Sequence, residues 1–179
     1  RYSPRTGQLL VQPEVPAVPE LPTGQPYLEE EVLGRRFRVA PSAFFQVNTV
    51  PERRALPPQL AVPWIAEREG EWSMAEVLAL HVLDRLGPGR LGRVVDAYSG
   101  VGTFAVLLAE RADEVIGIEE SPAAVRDARH NAWGLDHVRF VEGKTEQVLP
   151  QLEGRLDAVV LDPARVGCHP AVLEALLAR

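Results

Sequence analysis

Cysteine is nearly missing from this chain. Cys168 is the only one in 179 residues, so no disulfide can close within the chain and no cysteine-based metal site can be assembled. Such usage fits a reducing, cytoplasmic setting. Long apolar runs are missing too: none approaches the roughly 18 residues of a membrane span, and Arg1-Tyr-Ser-Pro4 is no signal peptide. Nor is there a surplus of positive charge. With 19 Lys and Arg against 25 Asp and Glu, the net charge of −6 is the opposite of what a stand-alone nucleic-acid binder carries. Any such contact has to be local. Arg35, Arg36 and Arg38, then Arg53 and Arg54, are the candidates, and a solvated face is the plainer explanation of each cluster. Methionine occurs only as Met74, and the chain stops inside the apolar pattern Val172 to Leu177, so it is expected to be part of a longer protein. A hydrophobic share of 46% over 179 residues suffices for one core with an appendage.

The first 50 residues read as strands around a linker. Gln8 to Gln12 follows a Thr6-Gly7 turn as a short strand, and prolines at 13, 16, 19, 22 and 26 impose an extended connection. Arg35 to Val39 alternates basic and apolar residues as a half-buried strand does. Phe44 and Phe45 read as core anchors, and Gln46 and Asn48 as turn formers. Residues 51–92 comprise a proline-rich surface insertion, Pro51 to Gly70, and a connecting helix. Ser73-Met-Ala-Glu76 is a capping box opening that helix, which runs through Leu86 with Met74, Val77, Leu78 and His81 along one face.

The third segment, 93–179, is organised around Arg93 to Ala109, a buried strand, a glycine turn and an apolar helix. Val94 and Val95 lead into Gly100-Val101-Gly102, where absent side chains allow a sharp turn and a close approach to a ligand. The helix starts near Thr103, so its free N–H groups face that ligand. Some twenty residues on, Glu114 to Glu119 is a second apolar strand ending in a carboxylate placed to grip ribose hydroxyls. This pattern also satisfies the permissive dinucleotide fingerprint. Asp96 separates the two: a carboxylate just before the glycines repels a pyrophosphate and welcomes a cation such as the ammonium of S-adenosylmethionine, which is favoured over NAD.

Strand and helix then alternate. Ser121-Pro122 starts a helix ending near Trp133-Gly134, Val138 to Val141 is a third strand, a short helix follows Lys144, and Leu156 to Leu161 is a fourth strand. Alternation of this kind predicts an α/β fold, a partial doubly wound and mostly parallel sheet with an N-terminal β extension. Asp96, Glu119, Lys144 and Asp162 fall together at the strands' carboxyl edge, where such sheets bind ligands.

With those residues placed, the chain resembles the class I S-adenosylmethionine-dependent RNA methyltransferases that make 5-methyluridine in ribosomal and transfer RNA. Four motifs carry the resemblance: Phe44-Phe-Gln-Val-Asn48, Asp96 to Phe104, Gly117-Ile-Glu119 and Asp162-Pro-Ala-Arg165. It spans about residues 27–48 and 91–179. The resemblance implies a Rossmann-like domain whose donor pocket is built from Gln46, Tyr98, Thr103, Glu119 and Asp162 around Gly100 and Gly102, with RNA as partner and neither metal nor membrane. It also turns Gln46 from a turn former into a ligand contact. Ser99 stands where a cysteine is common, and Thr103 where several members carry asparagine.

Carbon 5 of uracil is a weak nucleophile, which the family overcomes by adding a cysteine thiolate to carbon 6 and later removing the carbon 5 proton with a base. The family's cysteine sits in a Ser-Cys-Asn-Pro stretch, and this chain has none. Cys168, in Gly-Cys-His-Pro, reads as a residue capping or packing at a helix start, so no catalytic residue is assigned in this chain. Arg165 replaces the aromatic that stacks a flipped base in enzymes methylating exocyclic amines. Two rival readings remain, an NAD-dependent oxidoreductase and a non-catalytic RNA-binding or scaffold fragment.

Overall fold

A computed structural model describes residues 3, 5–8, 27–45, 48–50, 52–53 and 71–179. The strand expected at 8–12 falls mostly outside them, as do the proline-rich stretch to Pro26, most of the 51–70 insertion and Gln46.

Strands β1 (Leu28–Val32) and β2 (Arg35–Val39) form an antiparallel hairpin turning at Leu33-Gly34. Alternation buries Leu28, Val32, Phe37 and Val39 on one side. A two-residue pair, β3 (Glu52–Arg53) with β4 (Glu71–Trp72), precedes helix α1 (Met74–Arg85). The capping box is present, with Ser73 Oγ accepting from the Glu76 N–H at 3.2 Å and Glu76 accepting from the Ser73 N–H at 2.9 Å. The face of α1 differs from the expected one. Ala75, Ala79, Leu80 and Leu83 are buried, whereas Met74, Leu78 and His81 are exposed. The reason is Glu76, which enters the core because the Leu33 N–H and Arg5 satisfy it there, and so rotates the helix.

The rest is a βα alternation: β5 (Leu91–Ala97), α2 (Thr103–Leu108), β6 (Ala112–Glu119), α3 (Pro122–Asn131), β7 (Val138–Glu142), α4 (Thr145–Val148), β8 (Ala158–Leu161) and α5 (Pro170–Leu177). The four strands are parallel in the order β7-β6-β5-β8. Both faces are covered, because consecutive residues of β5 point to opposite sides: Val94 packs among α1, α2, α3 and the hairpin, and Val95 packs with Leu149 and Val172 below α4 and α5. Each fully buried valine or isoleucine contributes about 1.5–3 kcal/mol of transfer free energy. The chain reverses direction across the sheet between β5 and β8, the place where a crevice opens in such folds.

The β-hairpin is held to this sheet by α3. The Asn131 amide accepts the Arg38 N–H at 2.7 Å and donates to the Arg38 carbonyl at 3.0 Å, pairing with the strand as another strand would. One turn earlier, Asp127 accepts the Ala40 N–H at 2.6 Å and forms a 3.0 Å ion pair with Arg38. Among the described residues no helix is long and apolar enough to cross a membrane.

Candidate active site

Register brings the acids together. Asp96 and Ala97 of β5 pair with Gly117 and Ile118 of β6 on one side and with Val160 and Leu161 of β8 on the other. The next residue on each strand is Glu119, Tyr98 and Asp162, so the three form one row at the carboxyl edge. With neighbouring strands about 4.8 Å apart, the outer two backbones stand about 10 Å from each other across Tyr98.

Asp96 lies two residues below that row and on the α2 side, the same side as Val94. It is fully buried, its Oδ2 accepts the Ala105 N–H at 2.8 Å, and its Oδ1 has no hydrogen-bond partner. Burial pushes this carboxyl up to about 7, the Ala105 N–H works against the rise, and the charges of Asp162 and Glu119 add to it. The sequence suggested a carboxylate addressing a ligand directly. Instead one oxygen caps α2 from the strand and uses an N–H that was expected to face the ligand.

Glu119 is partly exposed and holds two loops at once. Its Oε2 accepts the Gly100 N–H at 2.9 Å and its Oε1 accepts the Ser121 N–H at 2.8 Å. Each oxygen keeps a second lone pair, the chemistry needed to accept from a vicinal diol. Asp162 is exposed at the end of β8.

The glycines act differently from one another. Gly100 has φ +54, and a Cβ there would meet only the Phe44 carbonyl oxygen, at 3.8 Å, which leaves an approach open on that side. Gly102, with φ +81, is closed: a Cβ would come within 2.7 Å of the Phe140 ring and 3.2 Å of Ala128. Its lack of a side chain serves packing under α2 rather than ligand approach. Thr103, half-buried, is the first residue of α2.

Tyr98 adopts φ +63, a left-handed conformation that costs a non-glycine residue about 1–3 kcal/mol and marks functional turns. Burial raises its phenol above the ordinary value, opposed by the His169 backbone N–H, while Cys168 and Glu146 add to the rise. The hydroxyl therefore reaches toward the start of α5. His169 is the N-cap there, its Nδ1 accepting from the Ala171 N–H at 3.2 Å, so Cys168 stands just ahead of the cap and does not supply it. Phe45 is buried against Phe37, with ring centroids 5.8 Å apart, whereas Phe44 is 68% exposed and anchors no core.

Asn131 and Asp127 were not singled out by the sequence, yet they fix the segment before Gln46 relative to the glycine turn. Asn131 also donates to the Val101 carbonyl at 2.9 Å. Two polar residues four apart on the flank of an otherwise amphipathic helix were the available signal.

Residues 94–179 match the family described as "Methyltransferase domain". This part of the chain has the fold of a methyltransferase domain. The four parallel strands and flanking helices are its Rossmann-like fold. An uncharacterized RNA methyltransferase of Thermosynechococcus vestitus is 38% identical over 156 residues, covering 86% of this chain and 30% of the relative. One from Gloeobacter violaceus is 40% identical, covering 86% and 29%. The chain thus spans about 30% of the length of these curated relatives. Among solved structures, the chain resembles the Pyrococcus abyssi tRNA (uracil-54, C5)-methyltransferase in complex with S-adenosyl-L-homocysteine. The TM-score is 0.57 at 25% identity, over 86% of this chain and 32% of that one. Pyrococcus abyssi Trm5b, with a TM-score of 0.60 at 17% identity over 87% of this chain and 38% of that one, shares the fold.

Proposed function

We propose that this chain is the donor-binding part of a cytoplasmic S-adenosylmethionine-dependent RNA methyltransferase that methylates carbon 5 of uridine in ribosomal or transfer RNA. The observation that carries the donor is the row Glu119, Tyr98, Asp162, with Asp96 buried beneath it and raised by that burial first and by the two acids second. Glu119 and Asp162 make this edge of the sheet negative, which suits a sulfonium and an ammonium and opposes a pyrophosphate. NAD is thereby disfavoured. The residues present fit the donor: Glu119 has lone pairs to spare for ribose hydroxyls, the Gly100 side is open, and Asp96 Oδ1 is an unpaired buried acceptor.

Bound S-adenosylmethionine supplies an electrophilic methyl group. In this reading Glu119 orients the ribose, the Tyr98 turn and Thr103 line the loop between β5 and α2, and Asp162 closes the crevice on the β8 side. Gln46 belongs to the same pocket by resemblance, and it lies outside the described residues. The uridine specificity is supported by the motif order and by the likeness to the Pyrococcus abyssi tRNA (uracil-54, C5)-methyltransferase. The division into an N-terminal strand segment to residue 50, an insertion with helix to 92 and the donor domain from 93 belongs to the same proposal.

Methylation at carbon 5 also needs a thiolate and a base, and Cys168 is the only cysteine here. Cys168 is not assigned as that nucleophile. The chain is expected to bind S-adenosylhomocysteine only weakly and to leave uridine-containing RNA unmethylated on its own. Calorimetry with S-adenosylhomocysteine and with NAD tests the donor, and labelled S-adenosylmethionine with RNA tests turnover. Binding of NAD in preference, or turnover abolished by Cys168→Ala, would refute the respective half.

A further inference from the structure

Helix α3 turns Arg126, Arg129, His130 and Trp133 outward, and no acid shares that face. These positions recur at helical spacing, opposite the buried Ala124, Val125 and Ala128. Trp133, just past the helix, is 89% exposed. The arginines singled out on β2 are largely committed elsewhere: Arg35 pairs with Glu110 and Arg38 with Asp127. Arg126 and Arg129, by contrast, have no carboxylate within ion-pair distance among the described residues, and Arg129 reaches only the Phe140 carbonyl, at 3.4 Å. The helix dipole accounts for Arg129 and His130 in the last turn. It does not account for Arg126 in mid-helix, nor for an indole left in water.

We infer that this face binds single-stranded RNA, with Arg126 and Arg129 on phosphates and the Trp133 indole stacked on a base. Charge complementarity selects this occupant: the chain carries −6 overall, yet this face is wholly basic and aromatic. Its position is also suitable. The helix starts beside Glu119, which accepts the Ser121 N–H, and runs away from the carboxyl edge of the sheet. The stripe from Pro122 to Trp133 thus leads about 16 Å from the donor crevice. Substrate flanking the target nucleotide has a track along it. The inference rests on the reading of the domain as part of an RNA methyltransferase, and it adds a surface that starts beside the donor pocket and lies outside it.

The test is fluorescence anisotropy of a labelled single-stranded, uridine-containing oligonucleotide with the 179-residue chain, across a salt series. The double variant Arg126→Gln, Arg129→Gln is expected to flatten the salt dependence by about 1.4, at about 0.7 for each phosphate no longer neutralised. Trp133→Ala should weaken binding about tenfold with the slope unchanged, and Trp133→Phe should retain most of the affinity. S-adenosylhomocysteine binding, measured on the same samples, is expected to be equal in all variants and controls for folding. Unchanged RNA affinity and slope in both the double variant and Trp133→Ala would overturn the inference. Failure of the parent chain to bind S-adenosylhomocysteine would strike the donor reading instead, and the anisotropy comparison would still decide the α3 face.

Discussion

Glu119 and Gly100 are bound to each other: the carboxylate Oε2 accepts the glycine N–H at 2.9 Å, tying the end of β6 to the turn after β5. The group proposed to hold the donor's ribose therefore also shapes the loop that would lie against it. Glu119→Gln keeps an acceptor for one of these bonds and loses the charge. It is expected to weaken S-adenosylhomocysteine binding by about 10- to 100-fold, the value of a charge-assisted hydrogen bond. Glu119→Ala should cost as much binding and also lower the melting temperature, since the Gly100 and Ser121 N–H groups lose their acceptor. Calorimetry and a thermal melt on the same samples separate the two effects.

Asp96 sets a pH dependence. Its folded value is raised to about 7 from an ordinary 3.8, so the folded state holds a proton that the unfolded state has released. The stability linked to this group is complete below about pH 4 and is lost as pH rises to about 7. Asp96→Asn keeps an oxygen for the Ala105 N–H and removes the titration. Urea unfolding should show the variant gaining on the parent chain between pH 5 and pH 8, on the order of a kcal/mol or more. A difference that stays flat with pH would show that Asp96 remains ionised in the fold.

Much of this was legible in the sequence for a physical reason. Consecutive valines at 94 and 95 demand burial on both faces, Ser121-Pro122 and Ser73 with Glu76 are local caps, and period and spacing alone put Glu119 and Asp162 at one sheet edge. What was not legible depended on partners far away in the chain. Glu76 goes inward because Leu33 and Arg5 meet it, Gly102 is required by Phe140, and Asp96 points to Ala105. No local pattern announces a contact of that range.

Gly102 offers a direct check on the packing argument. Gly102→Ala adds a Cβ within 2.7 Å of the Phe140 ring at φ +81. Overpacking and the left-handed backbone together should cost about 2–4 kcal/mol in unfolding free energy. Adding Phe140→Leu should recover the overpacking part and leave the backbone part of about 1 kcal/mol. No recovery in the double variant would mean that the glycine serves the backbone alone.

The last prediction concerns how the hairpin is kept in place. Asn131 makes three hydrogen bonds, two with Arg38 of β2 and one with the Val101 carbonyl in the glycine turn. Asn131→Ala leaves those backbone groups without partners in a half-buried site, at a cost of about 2–4 kcal/mol. Because the same side chain touches the turn, S-adenosylhomocysteine affinity should fall as well, several-fold, although Asn131 is not assigned to the pocket. Asn131→Asp retains the acceptor for the Arg38 N–H but loses the two donated bonds, placing a carboxylate against the Val101 and Arg38 carbonyls. It should therefore be no better than the alanine variant in either measurement. A variant pair in which aspartate restores both stability and binding would mean that the clamp works through charge on Arg38 and not through strand-like pairing.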